Sequence, residues 1–240
     1  MELGELRSRV VETYRSGGGT RPDVLRLRLD GDCAVLKDHG ACDRWFALLI
    51  GPLLTSREAR ALKRLADVPG VPRLLSRPGR RALLMEAAEA EPIPAGPGEH
   101  HRRGGQPLRD DVAPGVTWEQ YFSRLQRLVA ACHERGVAHC DLRSPGNTLV
   151  DARGNPWLVD FVACVFRGSS WNPLSAWIFS RFARADRDAV AQLKSRIDPS
   201  LLSDAERAVF ERDTRADRLA RRLGSGAREL SRLLFTRGGR

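Results

Sequence analysis

The stretch His133-Glu-Arg-Gly-Val-Ala-His139-Cys140-Asp141-Leu-Arg143-Ser-Pro-Gly-Asn147-Thr-Leu-Val150, followed by Trp157-Leu-Val-Asp160-Phe161, decides how this chain is read. Thr148 to Val150 and Trp157 to Val159 have the composition of short strands, and Asp151-Ala-Arg-Gly-Asn-Pro156 between them is a run of turn formers. A hairpin is predicted, with Asn147 just before its first strand and Asp160 just after its second. Asp141 lies in the loop ahead of it. A carboxylate that can stand beside a hydroxyl, and a second carboxylate plus an amide oxygen that can hold hard cations, are the parts phosphoryl transfer needs. Taken singly, Asp160 is equally a turn residue after a strand; the grouping is what points to chemistry.

Working outward, Thr117-x-x-Gln120 reads as a capping box, and Trp118, Tyr121, Phe122, Leu125, Leu128, Val129 and Cys132 then fall on one helical face until Gly136. Val24 to Leu29 alternates with period two, Asp30-Gly31-Asp32 is a turn signal, and Cys33 to Leu36 resumes a strand that ends in Lys37. Thr55-x-x-Glu58 predicts a second capping box, which would open a helix carrying Ala59, Leu62, Leu65 and Ala66, with Glu58 in its first turn. Arg81 to Glu86 is a further strand. After Asp160 the pattern predicts an irregular segment, a short apolar stretch (Leu174, Ala176, Trp177, Ile178, Phe179) and two or three charged helices. Alone, Lys37 reads as a surface lysine and Glu58 as a capping residue.

A strand-ending lysine, a helical glutamate 21 residues later, and a His-x-Asp loop followed by Asn and Asp form five parts in a fixed order. In this the chain resembles the protein-kinase-like superfamily in its compact microbial branch, the RIO-type kinases and the lipopolysaccharide core kinases that phosphorylate Kdo or heptose sugars. The likeness runs from about residue 17 to about residue 200. It implies a small bilobal α+β fold, with a β-rich N-lobe and a reduced helical C-lobe, that uses ATP and Mg²⁺. By the same resemblance Lys37 contacts the α- and β-phosphates and pairs with Glu58, Asp141 is the catalytic base, and Asn147 and Asp160 hold Mg²⁺. Met85 to Ala88 would be the hinge that meets adenine, with Met85 and Glu86 at its start. His139 is assigned a structural role. Arg143 stands where protein Ser/Thr kinases place a lysine that contacts the transferring phosphate; it does the same here or pairs with a carboxylate in the loop.

Departures from the family pattern bear on these assignments. One residue more than usual separates Asp141 from Asn147, which Pro145-Gly146 can absorb as a bulge or which moves the metal role elsewhere. Cys140 replaces an arginine and Val162 the glycine of Asp-Phe-Gly, so regulation by loop phosphorylation is not expected. No Gly-x-Gly-x-x-Gly precedes Lys37; Gly17-Gly18-Gly19-Thr20 either covers phosphates with backbone N–H groups, through Gly18 and Gly19, or is a plain loop. A pseudokinase acting as a nucleotide-binding or scaffolding module is the alternative these departures favour.

The 240 residues, 42% of them hydrophobic, suffice for one large domain or two small lobes. We divide them as N-lobe 1–90, a Pro/Gly-rich connection 91–116, a C-lobe with the catalytic loop 117–211, and a basic helical tail 212–240. Five scattered cysteines suggest neither a disulfide framework nor a zinc site. With no apolar run long enough to span a bilayer and no secretory-type amino terminus, a cytoplasmic location is expected. The net charge of +10 is concentrated in the tail, where nine Arg stand against three acids. That tail is a solvated helix, or it meets an anionic partner; with the Trp171 to Phe179 stretch it suggests the inner face of a membrane rather than a nucleic acid. The acceptor expected is a hydroxyl on a lipid-linked sugar or on a protein Ser/Thr.

Overall fold

The computed structural model describes residues 2–94, 111–169 and 171–208. Most of the Pro/Gly-rich connection and all of the basic tail lie outside the described residues. The first lobe is built on a five-stranded antiparallel sheet in the order β1-β2-β3-β5-β4, where β1 is Val10–Arg15, β2 Asp23–Leu29, β3 Asp32–Asp38, β4 Leu74–Ser76 and β5 Ala82–Glu86. Period-two alternation sorts its side chains. Leu25, Leu27, Leu36 and Leu84 point to one face, where Leu6 of helix α1 (Leu3–Ser8) covers them, and Val35, Leu83 and Met85 turn to the core shared with the second lobe. The register sets Lys37 of the central strand β3 opposite Leu83 of β5, which fixes the depth of its side chain.

Two helices, α2 (Arg44–Leu49) and α3 (Gly51–Arg64), follow β3. The capping box expected at Thr55 is absent. Pro52 sits in the first turn of α3, where its missing N–H has no partner to lose, so the helix starts before Thr55. Thr55 is buried inside it with its hydroxyl 3.3 Å from His39 Nδ1, and Glu58 falls in the second turn rather than the first.

Strand β6 (Ala90–Pro92) pairs with β10 (Thr148–Asp151) of the second lobe, and β10 pairs with β11 (Pro156–Leu158) in the predicted hairpin. The far end of the connection is ordered as well, as the short pair β7 (Asp111–Ala113) and β8 (Val116–Thr117). Helix α4 (Trp118–Glu134) has the capping box the sequence predicts, Thr117 Oγ1 accepting from Gln120 N and Gln120 Oε1 from Thr117 N. Its apolar face carries Tyr121, Phe122 and Leu125, each at most 1% exposed, and burial of such side chains stabilises by about 1.5–3 kcal/mol apiece. Strand β9 (Val137–Ala138) pairs with β12 (Val165–Phe166).

The short apolar stretch expected after Asp160 is not separate from the charged helices but opens the first of them, α5 (Pro173–Ile197), and a further helical segment begins at 204–208. Asn172 caps it through Ser175 N and Pro173 supplies its first residue, while Phe179, Ala183, Ala189, Val190 and Leu193 recur on one buried face, so nothing interrupts it between the two stretches. The main core runs without a break from Leu62 and Leu65 through Leu83, Tyr121 and Phe161 to Val190 and Leu193, so α3, β5, α4 and α5 are locked to one another. No helix among the described residues is long and apolar enough to cross a membrane.

Candidate active site

The edge of the site in the second lobe is made by the loop between β9 and β10. Residues 145–147 form a single 3₁₀ turn that takes up the extra residue, and it delivers Asn147 to the base of β10, where it is 7% exposed. Asn147 Nδ2 donates to both the backbone oxygen and Oδ2 of Asp141, each at 2.9 Å, which leaves Asn147 Oδ1 as the free acceptor. Asn147 O in turn accepts from Val159 N, tying the loop to the strand that ends in Asp160. Asp141 itself is exposed, so its carboxylate is open to an incoming group.

Asp160 follows β11 with φ 66° and ψ 66°, a left-handed conformation that aspartate tolerates better than most residues. It aims Oδ1 at Lys37 Nζ, 2.8 Å away across 123 residues of sequence. The same ammonium lies 3.1 Å and 2.9 Å from the two carboxylate oxygens of Glu58, which is 1% exposed. Lys37 therefore bridges two carboxylates, one from each lobe. Burial opposes its charge, but Glu58 and Asp160 outweigh burial and hold the ammonium above the ordinary lysine range. Burial also pushes Asp160 up, and Lys37 more than offsets it, so that carboxylate sits below its ordinary value. For Glu58 burial prevails over Lys37 and the carboxyl is raised. Lys37 is thus held between an exposed-edge carboxylate, Asp160, and a buried one, Glu58. Arg15, at the end of β1, lies near enough to Asp160 to favour its ionised form as well.

His139 is spent on structure, as its assignment implied. Its Nε2 lies 2.9 Å from Val159 O, which can only accept, and its Nδ1 takes a hydrogen bond from Asp141 N at 3.3 Å. Burial lowers its pKa, and its ring packs on Phe161 at 4.6 Å between centroids. A neutral imidazole thus joins Asp141 to the strand before Asp160.

The residue that holds this loop in shape is one the sequence reading missed. Asp186 of α5, 1% exposed, accepts from His139 N and Cys140 N at 2.7 Å each and from His133 Nε2 at 2.9 Å. These bonds fix Cys140 at φ 68°, a strained value for a non-glycine residue. The available signal was an acid on the apolar face of a helix: Asp186 falls in step with Phe179, Ala183 and Val190.

The loop from Ser16 to Pro22 connects β1 to β2, a strand the sequence reading did not place, and hangs from the edge of the sheet that holds Lys37. Gly17 is required by crowding, since a Cβ there would meet Ala41 Cβ at 2.8 Å and Asp23 N at 2.9 Å. Gly18 and Gly19 face open space, Gly19 has φ 57°, and Gly19 O is held by Asp43 N at 2.8 Å. Met85 is packed into the main core, and Glu86 N donates to Arg73 O while Glu86 Oε2 accepts from Arg73 Nε. Ala88, without a backbone hydrogen bond among the described residues, is the open point of that connection. The Arg143 side chain is exposed and makes no ion pair among the described residues. Lys37, Glu58 and Asp160 thus form one connected group and Asp141, Asn147 and His139 another, joined through Val159.

The segment after Asp160 is pinned from two sides. Arg57 of α3 donates to Cys164 O, the guanidinium carbons of Arg60 and Arg64 lie 4.6 Å and 5.2 Å from the centre of the Phe166 ring, and β12 is zipped to β9.

No protein-family model matches the chain. Among solved structures it is similar to the Rio2 kinase of Chaetomium thermophilum, with a TM-score of 0.55 and 17% identity over 82% of this chain and 61% of that one. It is also similar to the complex of that kinase with ADP/Mg²⁺ and phosphoaspartate, at a TM-score of 0.51. Among curated proteins it is 32% identical over 128 residues to the 3-deoxy-D-manno-octulosonic acid kinase of Xanthomonas campestris pv. campestris, covering 53% of this chain. It is 48% identical over 54 residues to the CBL-interacting serine/threonine-protein kinase 15 of Arabidopsis thaliana. The chain spans 43% and 11% of the lengths of these two relatives. The fold is the bilobal, kinase-like α+β fold seen in the Rio2 kinase.

Proposed function

We propose that the chain is an ATP-dependent phosphotransferase that moves the γ-phosphate to an alcohol. The observation that carries this reading is the buried bridge from Glu58 through Lys37 to Asp160, which presents a cation at the junction of the lobes while Asp141 stays open beside it. Asp141 takes the proton of the acceptor hydroxyl as the new P–O bond forms and the bond to ADP breaks. Lys37 contacts the α- and β-phosphates, Gly19 offers a backbone N–H group above them while the N–H of Gly18 closes the loop onto Arg21 O at 3.0 Å, and Arg143 reaches the transferring group. Met85 to Ala88 meets adenine through backbone groups, Ala88 being the unengaged one. The donors Asp160 and Asn147 Oδ1 form an all-oxygen set that fits Mg²⁺, a cation commonly held by one or two carboxylates plus substrate phosphates. When bound there it neutralises triphosphate charge.

The acceptor is a hydroxyl on a membrane-associated sugar or on a protein Ser/Thr. The sugar is supported by the length of the match to the Xanthomonas kinase, the protein by the local match to the plant kinase. Asp141→Ala tests the chemistry. It lowers turnover of Mg²⁺-ATP by roughly two to four orders of magnitude with nucleotide affinity retained, since a base acts on the hydroxyl. If wild type binds Mg²⁺-ATP yet turns it over no faster than this variant with any acceptor, a nucleotide-binding scaffold replaces the enzyme.

A further inference from the structure

The first turns of α5 expose an apolar face that no other described part of the protein covers. Trp171, just before the helix cap, is 91% exposed, Leu174 62%, Trp177 61%, Phe182 39% and Ile178 37%. Leu174, Trp177, Ile178, Arg181 and Phe182 lie along one side of the helix at spacings of three and four, while Phe179 and Ala183 on the other side are buried against Ala138 and Val165. A helix with one face seated on its own domain ordinarily turns polar side chains to water on the other. Here the outer face carries Trp177, and Trp171 stands exposed just before the helix.

Charge says what the face suits. From Trp171 to Ala185 there is no Asp or Glu, Arg181 stands within the stripe, and Arg184 lies at its flank, both exposed. A second copy docked about a two-fold axis would set these arginines against their own counterparts with no acid in the stripe to answer them. The Arg-rich sequence after residue 211 has the same sign and is no better cover. An anionic lipid surface answers both features. Apolar side chains enter the boundary between headgroups and acyl chains, tryptophan is favoured at that depth, and the arginines meet the headgroups.

We propose that this face of α5 docks the protein on an anionic bilayer surface. One turn further along the same helix, Asp186 holds the backbone of His139 and Cys140, so docking would fix the loop that carries Asp141 at a set height above the lipid headgroups. The docking itself does not depend on phosphotransfer. The test is flotation of the full chain with vesicles of phosphatidylcholine, with and without phosphatidylglycerol, at low and moderate salt. It compares wild type with a double variant, Trp177→Asp and Ile178→Asp, whose folding is checked by its melting temperature. Wild type binds the anionic vesicles in preference to the neutral ones, and the variant, unchanged in melting and in ATP turnover without lipid, binds more than about tenfold more weakly. No binding by wild type overturns the proposal. So does equal binding by the variant, which would put the contact elsewhere. Dimerisation of wild type that the variant abolishes also overturns it, because a second copy would then be the cover.

Discussion

Replacing Lys37 by methionine keeps the apolar stem and removes the cation between Glu58 and Asp160. In the native fold Lys37 Nζ lies 2.8 Å from Asp160 and 2.9 Å from Glu58, whose side chain is 1% exposed. Deleting one member of a buried ion pair costs about 3–5 kcal/mol, chiefly through the charge left behind. The Asp160 side chain is 36% exposed and screened, so the lower end, about 3 kcal/mol, is expected. In a chain of this length that corresponds to a fall in Tm of about 6–12 °C near pH 7.5. The deficit depends on pH with a definite sign. Burial already holds the Glu58 carboxyl above its ordinary value of 4.5, and loss of the ammonium raises it further. A carboxyl raised on folding costs nothing below its unfolded value, and the cost grows by about 1.4 kcal/mol per pH unit up to the folded value. Asp160, which the ammonium holds low, contributes stability above its ordinary 3.8 in wild type and not in the variant. The Asp160 contribution is largely in place by about pH 4.5, so above that it is Glu58 that enlarges the deficit as pH rises. Thermal unfolding followed by circular dichroism at about pH 4.5, 6 and 7.5 should show a gap that shrinks by half or more at the acid end. A gap of equal size at all three, or a variant as stable as wild type at pH 7.5, would refute the buried bridge.

Asp186→Asn presents an amide N–H₂ to groups that are themselves donors, and is expected to cost about 3–5 kcal/mol in chemical denaturation. Because it releases Cys140 from its left-handed conformation, it should also lower kcat more than it raises KM for ATP; an unchanged kcat in folded variant argues against a positioning role. Gly17→Ala forces a Cβ to within 2.8 Å of Ala41 Cβ and shifts the loop between β1 and β2, so KM for ATP should rise several-fold while kcat at saturation changes little, with steady-state kinetics as the check.

How much of this was legible in the sequence depends on where each signal is stored. Asp141, Asn147 and Asp160 lie within one loop and hairpin, and the turn residues between Thr148 and Trp157 fix their separation, so local chemistry was enough to group them. Lys37 and Glu58 were reached through an order of elements rather than a contact, and the reason first given for Glu58, a capping box at Thr55, was wrong in its physics. Gly51-Pro52 starts that helix a turn earlier, and Glu58 is selected by its place opposite Lys37. β1 was missed because, of Val10 to Arg15, Val10 is half-buried and the rest are exposed; an edge strand with one covered face shows little alternation. The start of the long helix α5 was set apart from the rest of it because its exposed first turns are apolar and its buried face holds an acid, a reversal of the pattern that marks a soluble helix. Each half of that reversal has its own cause. Asp186 is inside because three donors, two from the loop between β9 and β10 and one from α4, converge on it, and the tryptophans are outside because, on the reading argued above, their partner is a lipid surface and not a residue of this chain. A hydrophobic pattern records only what the chain buries against itself. It fails at these two places because one buries a polar function and the other reserves its apolar face for a surface beyond the chain.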